Sequence, residues 1–132
     1  MSFAFNPHHG LVVVQAEIWG RSGSGVLLLA LDTGATFMLI NQGRLMQLGY
    51  DPAAAPNRFQ VSTASGVEFA PRLTVTKIAA LGQEQKDFPV LCHTLPASVR
   101  VDGLLGLDFL RGQMLNIDFS GRPNRVELKW IG

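Results

Sequence analysis

Apolar residues fall along this chain in short runs, several alternating with polar positions, and clusters of Gly, Pro, Ser and Asn separate the runs. A two-residue period of that kind marks strands with one face buried. Residues 11–19 (LVVVQAEIW) are rich in β-branched side chains, alternate in part, and read as a strand. GRSGSG at 20–25 is a flexible turn, and VLLLAL at 26–31 returns as the second arm of a hairpin. TFMLI at 36–40 reads as a third strand. Within 41–50 a short helix is expected, with Asn41 as N-cap, Gly49 as C-terminal stop, and Leu45 and Leu48 facing the core. DPAAAPN at 51–57 is a loop.

The second half continues in the same way. Two short alternating segments, 59–61 and 67–69, flank STASG and predict a β-hairpin with a small polar tip. LTVTKIAAL at 73–81 is a strand, GQEQKD at 82–87 a polar turn, and FPVLCH at 88–93 a strand with Pro89 near its start, where a missing N–H is tolerated. Residues 94–103 are irregular. LLGLDFLRG at 104–112 suits a short helix ending at Gly112. MLNIDF (114–119), SGRPN and RVELKW (125–130) form a closing hairpin. The arm 1–10 contains Pro7 and reads poorly as a strand. With no internal repeat, linker or low-complexity stretch, the expectation is one mostly β domain over 11–132, with one or two short helices.

Composition narrows the classes. At 132 residues the chain holds one domain with a real core. Charged residues are only 16% of the chain, against about 25% in an average globular protein. A small domain so poor in charge is expected to hide surface against another chain. The net charge is +1 and the basic residues are scattered, which argues against nucleic acid or an anionic membrane as partner. The single cysteine, Cys92, forms no internal disulfide. The N-terminus lacks the basic and apolar regions of a signal peptide, and the apolar runs are far shorter than a membrane span. A soluble, cytoplasmic protein is expected.

One tripeptide stands out. Asp32, Thr33 and Gly34 sit between two apolar stretches that read as buried strands, where an unpaired carboxylate is unstable. Either the tripeptide is a surface turn, or the Asp does chemistry. A carboxylate at a loop tip between core strands is held rigidly, and glycine lets the backbone turn tightly. Two facing carboxylates share one proton and make a hydrolytic pair: the charged one deprotonates a water, and the neutral one protonates the substrate carbonyl. Only one Asp-Thr-Gly occurs. Asp102 and Asp108 are the other candidate acids, but neither repeats the loop pattern, and Asp102 reads as a turn residue and Asp108 as a first-turn helix residue. A two-fold dimer placing Asp32 against Asp32 is the simple solution.

The remaining chemistry-bearing residues have ordinary readings. The glycines at 20–25 lack a lysine and a following helix, so a phosphate site is a poor reading. Cys92 and His93 are adjacent on a strand, point to opposite faces and so do not pair; Cys92 reads as buried and unreactive. His8, His9 and His93 show no metal-ligand spacing. Trp19 and Trp130 read as packing or interface residues.

Three separated motifs carry a resemblance: LLALDTGAT at 28–36, the hairpin FQVSTASGVEF at 59–69, and VDGLLGLDFL at 101–110. In that order they resemble the retropepsin-type aspartic proteases, the single-domain, dimer-forming branch that includes retroviral proteases and bacterial relatives. The closing MLNIDFSGRPNRVEL is similar to bacterial members, and the likeness runs from about residue 11 to 128. It implies a closed acid-protease β-barrel and a two-fold homodimer. It implies Asp32 as catalytic residue, with Thr33, Gly34 and Ala35 in the active-site loop and Leu104, Leu105 and Gly106 supporting it from beneath. It places Ser62, Thr63, Ala64, Ser65 and Gly66 at the tip of a flap over the substrate. No metal and no cofactor are implied.

Departures are visible too. Retroviral members often carry an acidic residue and an arginine where this chain has Thr36 and Leu107, so that ion pair is absent. The flap tip has one glycine, Gly66. With the arm 1–10 reading poorly as a strand, a differently built dimer is expected. The functional expectation is a homodimeric aspartic endopeptidase acting on a peptide or protein. The rival is a dimeric peptide-binding or scaffold domain of the same fold without turnover, and a third reading is an inactive half needing another chain for its second Asp.

Overall fold

The computed structural model describes residues 1–8, 10–55, 57–63, 66–96 and 98–131, with residues 62 and 63 described through their backbone only. In chain order the elements are β1 (Ser2–Phe5), β2 (Val13–Gly20), β3 (Gly23–Leu31), β4 (Leu39–Asn41), α1 (Gln42–Gln47), a 3₁₀ turn (Pro52–Ala54), β5 (Asn57–Thr63), β6 (Gly66–Ala80), β7 (Gln83–His93), β8 (Gly103–Leu105), α2 (Leu107–Leu110), β9 (Gln113–Asp118) and β10 (Asn124–Trp130).

Six strands close into a barrel in the order β2, β3, β8, β4, β7, β6. β6 returns to β2 through pairs such as Ala16–Ala80 and Ile18–Ile78. Among the described residues β5 pairs with the first half of β6 alone, so this hairpin projects from the barrel. Closure buries one face of each strand. On β3, Leu27 and Leu29 are sealed while Val26 and Leu28 face outward, which is the alternation that a half-buried strand requires. Ile18, Met38, Ile40, Leu45, Val75, Ile78, Val90, Leu105 and Phe109 join them in the core. Each such side chain contributes about 1.5–3 kcal/mol by leaving water.

Four sequence expectations need correction. The arm forms β1, pairing antiparallel with β10 in a separate three-stranded sheet with β9. Its Pro7 falls beyond the strand, and Arg125 holds it through the Ser2 hydroxyl (2.6 Å) and carbonyl (2.8 Å). Residues 83–87 belong to β7, because the turn is only Leu81 and Gly82, both at positive φ (53° and 78°). That is the backbone of a tight hairpin turn. The strand expected at 36–40 shrinks to Leu39–Asn41, and the helix expected at 104–112 shrinks to Leu107–Leu110. Leu104 and Leu105 instead form β8, wedged parallel to β3 and antiparallel to β4. Helix α1 is as expected: the Asn41 side chain accepts from Gly43 N–H at 2.8 Å, and Leu45 is buried.

Candidate active site

β3 delivers Asp32. Leu31, its last residue, pairs with Leu105 of β8, and the Asp32 N–H donates to the Leu105 carbonyl at 3.0 Å. The chain then turns at once. The Asp32 carbonyl accepts the Ala35 N–H at 3.1 Å, and Asp32 Oδ1 accepts the Gly34 N–H at 2.9 Å. This is an Asx turn inside a β-turn, a geometry that short acidic side chains favour. A Cβ on Gly34 would lie 3.2 Å from that same Oδ1. Asp32 and Ala35 are half-buried, and Thr33 and Gly34 are exposed. The carboxylate therefore sits at the end of a core strand without being engulfed by the core, which resolves how the chain tolerates it there.

The segment 103–110 braces this loop from below. Leu107 N–H donates to the Ala35 carbonyl at 2.8 Å and Asp108 N–H to the Thr36 carbonyl at 3.2 Å. Gly106 is pressed against the loop so closely that a Cβ would fall 2.8 Å from the Ala35 oxygen and from the Phe37 carbonyl group. Leu105 and Phe109 are fully buried and fasten the brace to the barrel; Phe109 meets Phe88 edge to face at 5.9 Å. Leu104, just before them in the chain, is partly exposed.

Asp108 lies in the first turn of α2, and its oxygens accept Met38 N–H at 3.0 Å and Phe109 N–H at 2.9 Å. Burial raises its pKa above the usual carboxylate value, against the opposing pull of those two N–H groups and of the Arg72 charge. Asp102 is equally committed. Its Oδ2 accepts Leu28 N–H at 2.8 Å, its own N–H donates to the Leu28 carbonyl, and Arg44 stands 3.8 Å away. Both carboxylates hold backbone in place.

The hairpin β5–β6 forms the arch that the sequence predicted, with Val61 opposite Glu68 and Thr63 opposite Gly66. Of the expected tip, Ala64 and Ser65 lie outside the described residues; Ser62, Thr63 and Gly66 are strand residues at its end. Sequence reasoning missed the contact between this hairpin and the Asp32 loop. The Phe59 ring on β5 lies 6.1 Å from the Phe37 ring, and the Arg72 guanidinium sits over both, at 4.5 Å and 5.4 Å. No motif marks these residues, and nothing in the sequence ties Phe37 to Phe59 or Arg72.

Cys92 is buried and its thiol is pushed up to about 11 by desolvation. His93 turns the other way, to Glu68 Oε2 at 2.7 Å. Among the described residues no group of three or more His, Cys, Asp or Glu is placed to hold a metal ion. Among them, too, no helix is long and apolar enough to cross a membrane.

The sequence model of one family, described as gag-polyprotein putative aspartyl protease, matches residues 16–112, from mid-β2 to just past α2. The chain belongs to this family. Its fold is retropepsin-like: the crystal structure of a retropepsin-like aspartic protease from Rickettsia conorii superposes with a TM-score of 0.70. That match covers 98% of this chain and 89% of the other at 21% identity. A comparison with curated protein sequences gave no significant match. In this retropepsin-like chain the matched span contains the Asp32 loop, the projecting hairpin and the brace.

Proposed function

We propose that this chain is an aspartic endopeptidase that works as a homodimer, with Asp32 of each subunit facing the other across one water. The observation that carries this reading is the Asp32 loop itself, a half-exposed carboxylate locked at a barrel strand's end by Leu105 and braced by Gly106. The commitments of Asp102 and Asp108 to backbone N–H groups support the dimer, because neither is free to act as second acid within one chain.

Two carboxylates at short range hold one proton between them. The charged one takes a proton from the water, whose oxygen attacks the peptide carbonyl. The neutral one donates to the carbonyl oxygen, and the proton taken from water reaches the leaving nitrogen. Thr33, exposed next to Asp32, locks the two loops together. Gly34 and Ala35 line the site, and Leu104, Leu105 and Gly106 support it. Ser62 through Gly66 close over the substrate backbone. No metal and no cofactor take part. The substrate is a peptide or protein, and a cytoplasmic location fits a chain whose one cysteine is a buried thiol.

The test is cleavage of a diverse peptide library from acidic to neutral pH, with the dimer fraction measured in the same buffers. Cleavage should rise with dimer and favour acid to near-neutral pH. Asp32→Asn should lower the rate by about 100-fold or more while folding normally, since the Asn oxygen still accepts from Gly34. Full activity in that variant, or a well-formed dimer that cleaves nothing, overturns the proposal; the second result favours a peptide-binding domain.

A further inference from the structure

Arg72 occupies a singular place in the sheet. It is the position at which β6 meets both β5 and β7, pairing with Asn57 of β5 and with Leu91 of β7. Before it, from Gly66 to Pro71, β6 pairs with β5; after it, β6 runs on with β7 in the barrel wall. Arg72 is therefore the root of the projecting hairpin. Its side chain does not point away from that junction. The half-buried guanidinium lies 4.5 Å from the Phe59 ring of β5 and 5.4 Å from the Phe37 ring, which stands three residues after Gly34 on the active-site loop. Its charge also acts on Asp108, the residue holding Met38 N–H just beyond Phe37.

We propose that Arg72 is a positioning residue for peptide hydrolysis, clamping the root of the flap hairpin onto the active-site loop through the Phe37 and Phe59 rings. The proposal rests on the proteolytic reading above. A planar, delocalised guanidinium can lie against two aromatic faces at once, whereas a lysine ammonium is a compact, strongly hydrated point charge. The clamp thus depends on Arg in particular. Phe37 moves with the loop that carries Asp32, and Phe59 moves with the flap, so the stack sets the height of the flap over the carboxylate. Loosening it weakens the closed, substrate-bound arrangement and leaves the reacting groups themselves intact. Loss of that uniform binding is expected in KM rather than kcat.

The experiment combines steady-state peptide cleavage with amide hydrogen exchange on the intact protein, using R72K, F37L, F37Y and wild type. R72K and F37L should each raise KM about fivefold with kcat within about twofold. Both should speed exchange in 57–63 and 66–71 about tenfold, with β2 and β3 unchanged. F37Y keeps the ring and should behave as wild type, and R72K/F37L should be no worse than either single variant, because both remove one interaction. An active R72K enzyme with unchanged KM and unchanged flap exchange overturns the clamp. Exchange that rises equally through the barrel overturns it too, since it marks a merely structural role. A wild-type dimer that cleaves nothing instead overturns the proteolytic reading, and the role of Arg72 in hydrolysis falls with it.

Discussion

The carboxylate of Asp108 accepts the backbone N–H of Met38 at 3.0 Å, joining a residue of α2 to the segment between the Asp32 loop and β4. This contact adds a side-chain tie to the backbone bonds between loop and brace. The Met38 side chain is fully buried, and water cannot readily take over its N–H. Asp108→Ala should therefore destabilise the fold by about 1–3 kcal/mol, read as a drop in thermal midpoint. Asp108→Asn, which keeps one acceptor oxygen, should lose less.

The same residue gives a signed pH effect. Burial raises the Asp108 pKa in the folded state, so the folded protein keeps this proton where the unfolded chain has released it. The contribution of Asp108 to stability is then greatest below the ordinary carboxylate pKa and falls as pH rises through the raised value. Melting wild type and Asp108→Asn across that range should show wild type losing ground to the variant as pH increases. A parallel pair of curves would contradict this assignment.

Two glycines should be irreplaceable for reasons of space. A Cβ on Gly103 would lie 2.1 Å from the Leu39 carbonyl oxygen, and one on Gly106 would lie 2.8 Å from three backbone atoms of the active-site loop. Backbone cannot swing aside as a flexible side chain does. Gly103→Ala and Gly106→Ala should each cost about 1–3 kcal/mol or more, and Gly106→Ala should also impair cleavage by displacing the loop. Gly10→Ala, with nothing within 4 Å of its added carbon, is the control and should change stability by less than about 0.5 kcal/mol.

Cys92 should be chemically silent. With the thiol pushed up to about 11 and the side chain 2% exposed, almost no thiolate is present at neutral pH. Alkylation followed by mass spectrometry should leave the folded protein unmodified and label the residue once denaturant is added. Cys92→Ser should lose stability, not activity per folded molecule.

Asp118 provides the opposite pH sign from Asp108. Its Oδ1 accepts the Ser120 hydroxyl at 2.6 Å and the Ser120 N–H at 2.8 Å, and these bonds lower its pKa. The stability it contributes is present above the unfolded carboxylate pKa and disappears as pH falls through the lowered one. Ser120→Ala removes the larger cause. The Asp118 carboxyl should then titrate at higher pH by NMR, and the acid limb of the stability curve should flatten.

The sequence reached the mostly β class, most strand positions, the Asp-Thr-Gly turn and the hairpin, because each of these is written locally. Short apolar runs mark the strands, and turn residues mark where strands end. The errors fell where local propensity was outvoted. Leu104 and Leu105 suit a helix by composition, yet β3 and β4 leave a gap only a strand can fill, and their unpaired backbone groups take Gly103–Leu105 as partner. The arm 1–10 read poorly as a strand because it contains Pro7, yet Ser2–Phe5 ahead of that proline become β1 by pairing with the edge of β10.

What the sequence determined by itself was therefore the one-dimensional record: periodicity, turn chemistry, and a motif whose meaning came from its order relative to two others. Tertiary structure alone decided that Asp102 and Asp108 are spoken for by distant N–H groups, that Leu105 grips Asp32, and that Arg72 sits over the Phe37 and Phe59 rings. Such relations join residues far apart in the chain, and they are set by barrel closure and strand register. Neither leaves a periodic trace in the order of the amino acids.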